Sequence, residues 1–196
     1  MTNKIKIIAI AVLTIFSIAT SGLKAQDKTT FSIETDPSTF VFKGYALHLR
    51  IKPENSKQLV IGVGTYAIDL PSLMVDINPK NKEKGWDVRI NSAYSFFGEY
   101  YFEEANHKWF VGLQAGVQNY KNSNSNIPNK ETKYSNLLLM PSIGYNWQPF
   151  EFPLYFKPWF GLGYTTKISG SNTIANLEYD ISPLIPFVTL HIGYTF

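Results

Sequence analysis

The nine residues Val188-Thr189-Leu190-His191-Ile192-Gly193-Tyr194-Thr195-Phe196 constrain the fold more than any other stretch. Every even position is large and apolar, ending in Tyr194 and Phe196. The odd positions carry Thr189, His191, Gly193 and Thr195. Strict period two makes a strand with one apolar and one polar face. The apolar face must look either into a core or out into hydrocarbon, and periodicity alone does not say which.

The chain of 196 residues is 44% hydrophobic, 15% aromatic and 17% charged, a size that suits one domain. Residues 1–25 read as a secretory signal peptide. Lys4 and Lys6 give a basic start, Ile7 to Thr20 is almost wholly apolar, and Ser21 to Ala25 offers a small-residue end before Gln26. There is no cysteine, so neither an N-terminal lipid anchor nor a disulfide framework is expected. Beyond the leader no apolar run reaches the roughly 18 residues that a membrane helix needs. The leader holds three lysines and no acid, so the 18 basic residues of the whole chain become 15 from Gln26 onward, against 15 acidic ones. The formal charge of +3 thus falls to zero, and nucleic acid loses its compositional support as a partner.

From Gln26 onward the sequence alternates strand and turn. Thr29–Thr35 alternates weakly and is broken by Asp36-Pro37-Ser38. In Thr39–Lys52, Tyr45, Leu47, Leu49 and Ile51 oppose Gly44, Ala46, His48 and Arg50. Gln58–Tyr66 sets Leu59, Ile61 and Val63 against Val60, Gly62 and Gly64. Trp86–Phe102 sets Val88, Ile90, Tyr94, Phe96, Tyr100 and Phe102 against Asp87, Arg89, Asn91, Ala93, Ser95 and Glu99. Further alternating stretches follow at Trp109–Gln118, Leu137–Trp147 and Phe156–Tyr164 before the last strand. Short turns near 53–56, 103–107 and 148–153 alternate with long polar connections near 69–84, 121–133 and 168–182.

The leader, the aromatic-terminated last strand, the glycine-interrupted strands and this loop asymmetry resemble the small outer-membrane β-barrel proteins of Gram-negative bacteria. The resemblance covers the whole chain after the leader. It implies an all-β, antiparallel, up-and-down transmembrane β-barrel of about eight strands over 26–196, with the short turns in the periplasm. By the same resemblance, Tyr194 and Phe196 are the signal read by the barrel-assembly machinery. Outer-membrane lipid is then the surrounding partner, and the three long loops are where an extracellular ligand would bind. Tyr100, Phe102, Trp109, Tyr145, Trp147, Tyr194 and Phe196 would form the periplasmic aromatic girdle.

An eight-stranded barrel is just wide enough for side chains to fill it, so an open diffusion pore is not expected. Parity sends His48, Arg50, Asp87, Arg89, Glu99, Gln114, Asn146, Lys157 and His191 inward. Groups so placed should pair into a plug, because buried charges persist only when partnered. A second reading is a lipid-modifying site, since some small barrels resembling this one are acyltransferases or deacylases. His48 or His191 would be its base and Ser142 or Ser95 its hydroxyl. A third is a soluble exported barrel with the bulky face inward around a small apolar ligand. No enzyme activity and no cofactor is expected. No metal is expected either, because His48, His107 and His191 lie far apart in sequence and lack ligand spacing.

Overall fold

In a computed structural model describing residues 28–196, the alternating stretches become strands of one closed antiparallel ring. The leader read at 1–25 lies outside the described residues. The ring contains β1 (Thr30–Thr35), β2 (Tyr45–Lys52), β3 (Leu59–Asp69), β4 (Trp86–Tyr101), β5 (Lys108–Asn124), β6 (Glu131–Asn146) and β7 (Leu154–Gly170). A small hairpin follows, β8 (Thr173–Ile174) with β9 (Leu177–Glu178), and then β10 (Leu184–Thr195) returns to close on β1. One-turn helices α1 (Ser38–Val41) and α2 (Ser72–Val75) lie in the first and third connections.

The ring is staggered as well as closed. A line of paired residues begun at Ser32 runs through Arg50, Gly62, Phe97, Gln114, Met140 and Gly163. It meets β10 at Ile185, ten residues before Thr195, which is the direct partner of Ser32. With a rise of about 3.3 Å per residue and about 4.8 Å between strands, that stagger tilts the strands by about 40°.

The bulky face looks out. Leu190, Phe96 and Val63 are 42%, 46% and 51% exposed, whereas Arg50 and Lys157 are 1% and 2% exposed. A soluble barrel with an apolar centre is therefore overturned: at the level of these residues the polar groups are inside. Around the short-turn end the outward aromatics meet edge to face, Trp109 on Tyr145 at 5.2 Å and Tyr194 on Phe196 at 5.0 Å.

β1 is six residues long, shorter than the 9–11 that a full crossing takes. Asp36-Pro37 turns the chain into α1, whose Phe40 and Val41 point outward. Above Ile192, β10 therefore has no strand partner on that side. Thr189 Oγ1 donates instead to Asp36 Oδ2 at 2.6 Å, and Pro186 removes an N–H from the open stretch.

The far end differs from the sequence reading in two ways. One extra residue in β4, between Ile90 and Ser92, shifts its register against both β3 and β5. This bulge inverts the alternation above it. Val88 and Ile90, read as lipid-facing, are buried inside, while Asp87 and Arg89, read as inward, face out. Second, much of the stretch read as a loop at 121–133 is sheet, with Lys121 paired to Lys133 and Ser123 to Glu131. Its polarity is that of strands projecting into water.

The other two long connections fold over the mouth. α2 contributes Val75, and the β8–β9 hairpin contributes Ile174 and the neighbouring Tyr179. These join a core of Trp86, Val88, Ile90, Ala93, Tyr120 and Tyr134. The buried Asn81 side chain ties the connections together. Its Nδ2 donates to the carbonyls of Val75 (3.3 Å) and Asp180 (2.9 Å), and its Oδ1 accepts from the Asp180 N–H at 2.9 Å. Burial pushes the Tyr179 hydroxyl up to about 12, and the Asp76 carboxylate adds to the shift.

Two outcomes follow from this arrangement. Leu190→Arg, mid-way along the outward face of β10, should cost about 2–4 kcal/mol of stability and Tyr194→Arg about 1 kcal/mol or less. Urea unfolding in lipid vesicles measures the difference, and equal costs would mean that the two residues do not differ in membrane depth. Asn81→Ala should speed protease cutting within 76–84 and 171–182 about tenfold while the barrel core survives, since it removes three buried hydrogen bonds.

Candidate functional site

Below the bulge the interior is held by charge. β1 contributes Glu34, β2 His48 and Arg50, β4 Glu99 and Tyr101, β7 Tyr155 and Lys157, and β10 His191. The register explains the convergence: Glu34 is opposite His48 on one side and Gly193 on the other, and His191 is opposite Lys157. Ring closure thus makes neighbours of Glu34 and His191, 157 positions apart.

Arg50 is the hub. Its guanidinium pairs with Glu34 at 2.9 Å and also with Glu99, and it donates to Tyr101 (2.8 Å), Tyr155 (2.9 Å) and Asn106 (2.9 Å). Lys157 Nζ lies 2.8 Å from a carboxylate oxygen of each acid. The Tyr155 hydroxyl donates to Glu34 at 2.8 Å and the Tyr101 hydroxyl to Glu99 at 3.0 Å. Two carboxylates thus face two fixed cations. Each ion would cost several kcal/mol to bury unpaired, and the mutual attraction repays that only where hydrogen bonding is nearly complete. Every carboxylate oxygen of the two acids is partnered, although the Arg50 Nε is not, and this dense pairing is the physical reason that this half of the barrel is shut.

The histidines flank the network. His191 Nδ1 lies 3.1 Å from Glu34, and its ring stacks on His48 at 4.7 Å. Beside them is a cavity of about 30 Å³ whose lining includes Glu34, His48, Gln114, Ser142, Lys157 and His191. That volume admits about one water molecule.

Of the nine residues read as inward, His48, Arg50, Glu99, Lys157 and His191 meet in this cluster. Gln114 borders its cavity. Asn146 is buried with both side-chain polar atoms unpartnered. Asp87 and Arg89 do not join it. The β4 bulge turns both out of the interior, and Arg89 pairs with Asp69 and donates to the Lys43 carbonyl at 3.2 Å. Sequence reading missed Glu34, although parity set it opposite Ile33, because its strand signal was weak. It also missed Tyr101 and Tyr155. Their odd parity marked them as inward, but aromatics were assigned to the lipid face.

The serines lie near the imidazoles without bonding to them. The Ser95 hydroxyl donates to the Gly64 carbonyl at 3.5 Å, and Ser142 borders the cavity without a hydrogen bond to either histidine. His107 is in an exposed turn beside Glu103. The separation of the histidines in sequence was misleading in one respect, since closure brings His48 and His191 together with Glu34.

No protein-family profile and no curated protein matches the sequence. Among solved structures, a major outer membrane protein from Thermus thermophilus is similar at 12% identity, covering 87% of this chain and 100% of that one, with a TM-score of 0.51. The fold is that of the small bacterial outer-membrane β-barrels. The N-terminal barrel domain of Pseudomonas aeruginosa OprF aligns at 9% identity over 88% of this chain and 100% of that one, with a TM-score of 0.41. Neisserial surface protein A aligns at 10% identity over 86% and 94%, with a TM-score of 0.38.

Arg50→Met leaves two buried carboxylates sharing one lysine and should lower stability by about 3–5 kcal/mol. Adding Glu99→Gln should restore part of the loss, so the double variant is more stable than the sum of the single effects predicts. Urea unfolding in detergent micelles gives both numbers, and strict additivity would mean that the two groups do not interact.

Proposed function

We propose that this protein is an integral outer-membrane barrel with a structural and surface-interaction role, presenting a packed extracellular lid and conducting no bulk solute. One observation carries the reading: the wall is apolar outside, while its lumen is closed by ion pairs in one half and by an aromatic core under the lid in the other. An apolar outer surface of this extent needs hydrocarbon around it. Export through the leader at 1–25 and assembly through the strand ending in Tyr194 and Phe196 complete the proposal, with outer-membrane lipid as the surrounding partner. The surface on offer to an extracellular ligand is the outside of 69–84, the β5–β6 tip and 168–182. Acyl transfer or deacylation is not part of the reading, because a hydroxyl nucleophile is activated by a hydrogen bond to its base, and the Ser95 hydroxyl is turned to the Gly64 carbonyl instead.

The purified chain in detergent should run on a gel at different positions before and after boiling, and in planar bilayers it should give no steady conductance above the protein-free membrane. Stable channels would remove the plug from the proposal. Altered acylation of outer-membrane lipid in a deletion strain would restore the enzymatic alternative.

A further inference from the structure

We infer that Glu34, His48 and His191 form a site for a divalent transition-metal ion of the zinc or nickel class. Ligand-capable atoms of the three residues all lie within 4.8 Å of one another, and all three residues are buried. A cluster of buried side chains is not by itself a site, and three further features single this one out.

The first is how Glu34 divides its two oxygens. Oε1 receives Arg50 at 2.9 Å, Lys157 at 2.8 Å and the Tyr155 hydroxyl at 2.8 Å. Oε2 faces His191 Nδ1 at 3.1 Å. The fixed cations are thus satisfied on one oxygen, and the other is turned to the imidazoles. Two ligands of one tetrahedral ion, each bonded at about 2.0–2.2 Å, stand about 3.3–3.6 Å apart, so the pair at 3.1 Å need open by only a few tenths of an ångström. A metal would take the place of the contact that now joins the two groups.

The second is His48. The side chain is more than nine-tenths buried, and its Nδ1 has no hydrogen-bond partner. The opposite ring edge, Cδ2 and Nε2, is turned to Gly64, where an added Cβ would lie 2.7 Å from Nε2. The Nδ1 edge is therefore turned away from that wall. Buried polar groups in folded proteins are almost always hydrogen-bonded, and an exception often marks an ion or a water.

The third is space. All three residues border the cavity of about 30 Å³, room for one ion or water. Two imidazoles and one carboxylate suit zinc, nickel, copper or ferrous iron, whereas calcium and magnesium prefer all-oxygen shells.

The test uses the tag-free chain refolded in detergent with Zn²⁺ and then desalted. About one ion per barrel should remain by elemental analysis, and the folded gel position should persist to a higher temperature than after refolding with a chelator. His48→Phe should keep the heat-dependent gel shift and retain at least tenfold less metal, while His107→Ala retains it as the original chain does. No retention by the original chain, or equal retention by His48→Phe, overturns the site. Should His48→Phe not fold, the unsubstituted chain with Co²⁺ decides. Visible bands of a low-coordinate nitrogen and oxygen shell support the site, and the spectrum of aqueous Co²⁺ alone overturns it.

Discussion

Hydrocarbon offers no hydrogen bonds, so a spanning sheet must satisfy its backbone within itself, and only closure does so. Here closure depends on β1, the shortest strand of the ring, which pairs with both β2 and β10. The same six residues carry Glu34, which touches Arg50 on β2, Lys157 and Tyr155 on β7, and His191 on β10. Closing the ring therefore completes the neutralisation of the lumen that Glu99 begins by pairing with Arg50 and Lys157. Until β10 docks against β1, two buried cations and a histidine lack a common partner. When it docks, backbone ladder and ion network are completed together. A short strand is tolerated because it holds the lower half, where the network lies. Above it Asp36, Thr189 and α1 cover the opening by side-chain contacts.

Most of the wall was legible in the sequence because lipid on one side and a filled lumen on the other impose alternation with few exceptions. β2, the lower part of β3, β5 below Gln118, β6 and β7 as far as Thr166 follow it residue by residue, and above that an extra residue in β7 shifts its register against β6. The site was partly legible for the same reason: parity identified Arg50, Glu99, Lys157 and both inward histidines without reference to their partners. Parity could not reveal which of them meet. That depends on a ten-residue stagger that no single strand encodes, and on Glu34, whose strand is too short to announce itself. Tyr101 and Tyr155 escaped because aromatic bulk is evidence of burial or lipid contact in equal measure. Their role comes from the hydroxyl, which serves as a neutral link between charges.

The long connections illustrate a different limit. Polarity at 121–133 reflects strands leaving the membrane, not the absence of strands. At 69–84 and 168–182 a few apolar residues, Val75, Ile174 and Tyr179 among them, are enough to hold the segments onto the barrel mouth. Asn81 supplies the directional part, reading both the N–H and the carbonyl of Asp180 across 99 positions. Composition averages over a segment, whereas anchoring depends on single residues, so loops of this kind look solvated in sequence and are tethered in the fold.

The β4 bulge joins these observations. Along Trp86–Phe102 most of the bulky apolar residues keep even positions, Phe97 and Tyr101 excepted, as if one face met one environment. The environment in fact reverses along the strand. At the membrane level apolar groups belong outside, and above it, where water surrounds the wall, they belong inside. A strand without a bulge would have to exchange its apolar and polar positions at the boundary. Inserting one residue between Ile90 and Ser92 achieves the same result with the alternation unchanged. Val88 and Ile90 then fall beneath the lid while Tyr94 and Phe96 face lipid, and Arg89 is released to pair with Asp69 on the wetted exterior. The bulge is thus the point at which an inside-out protein becomes an ordinary one, and its position marks the upper edge of the apolar wall more sharply than any change of composition.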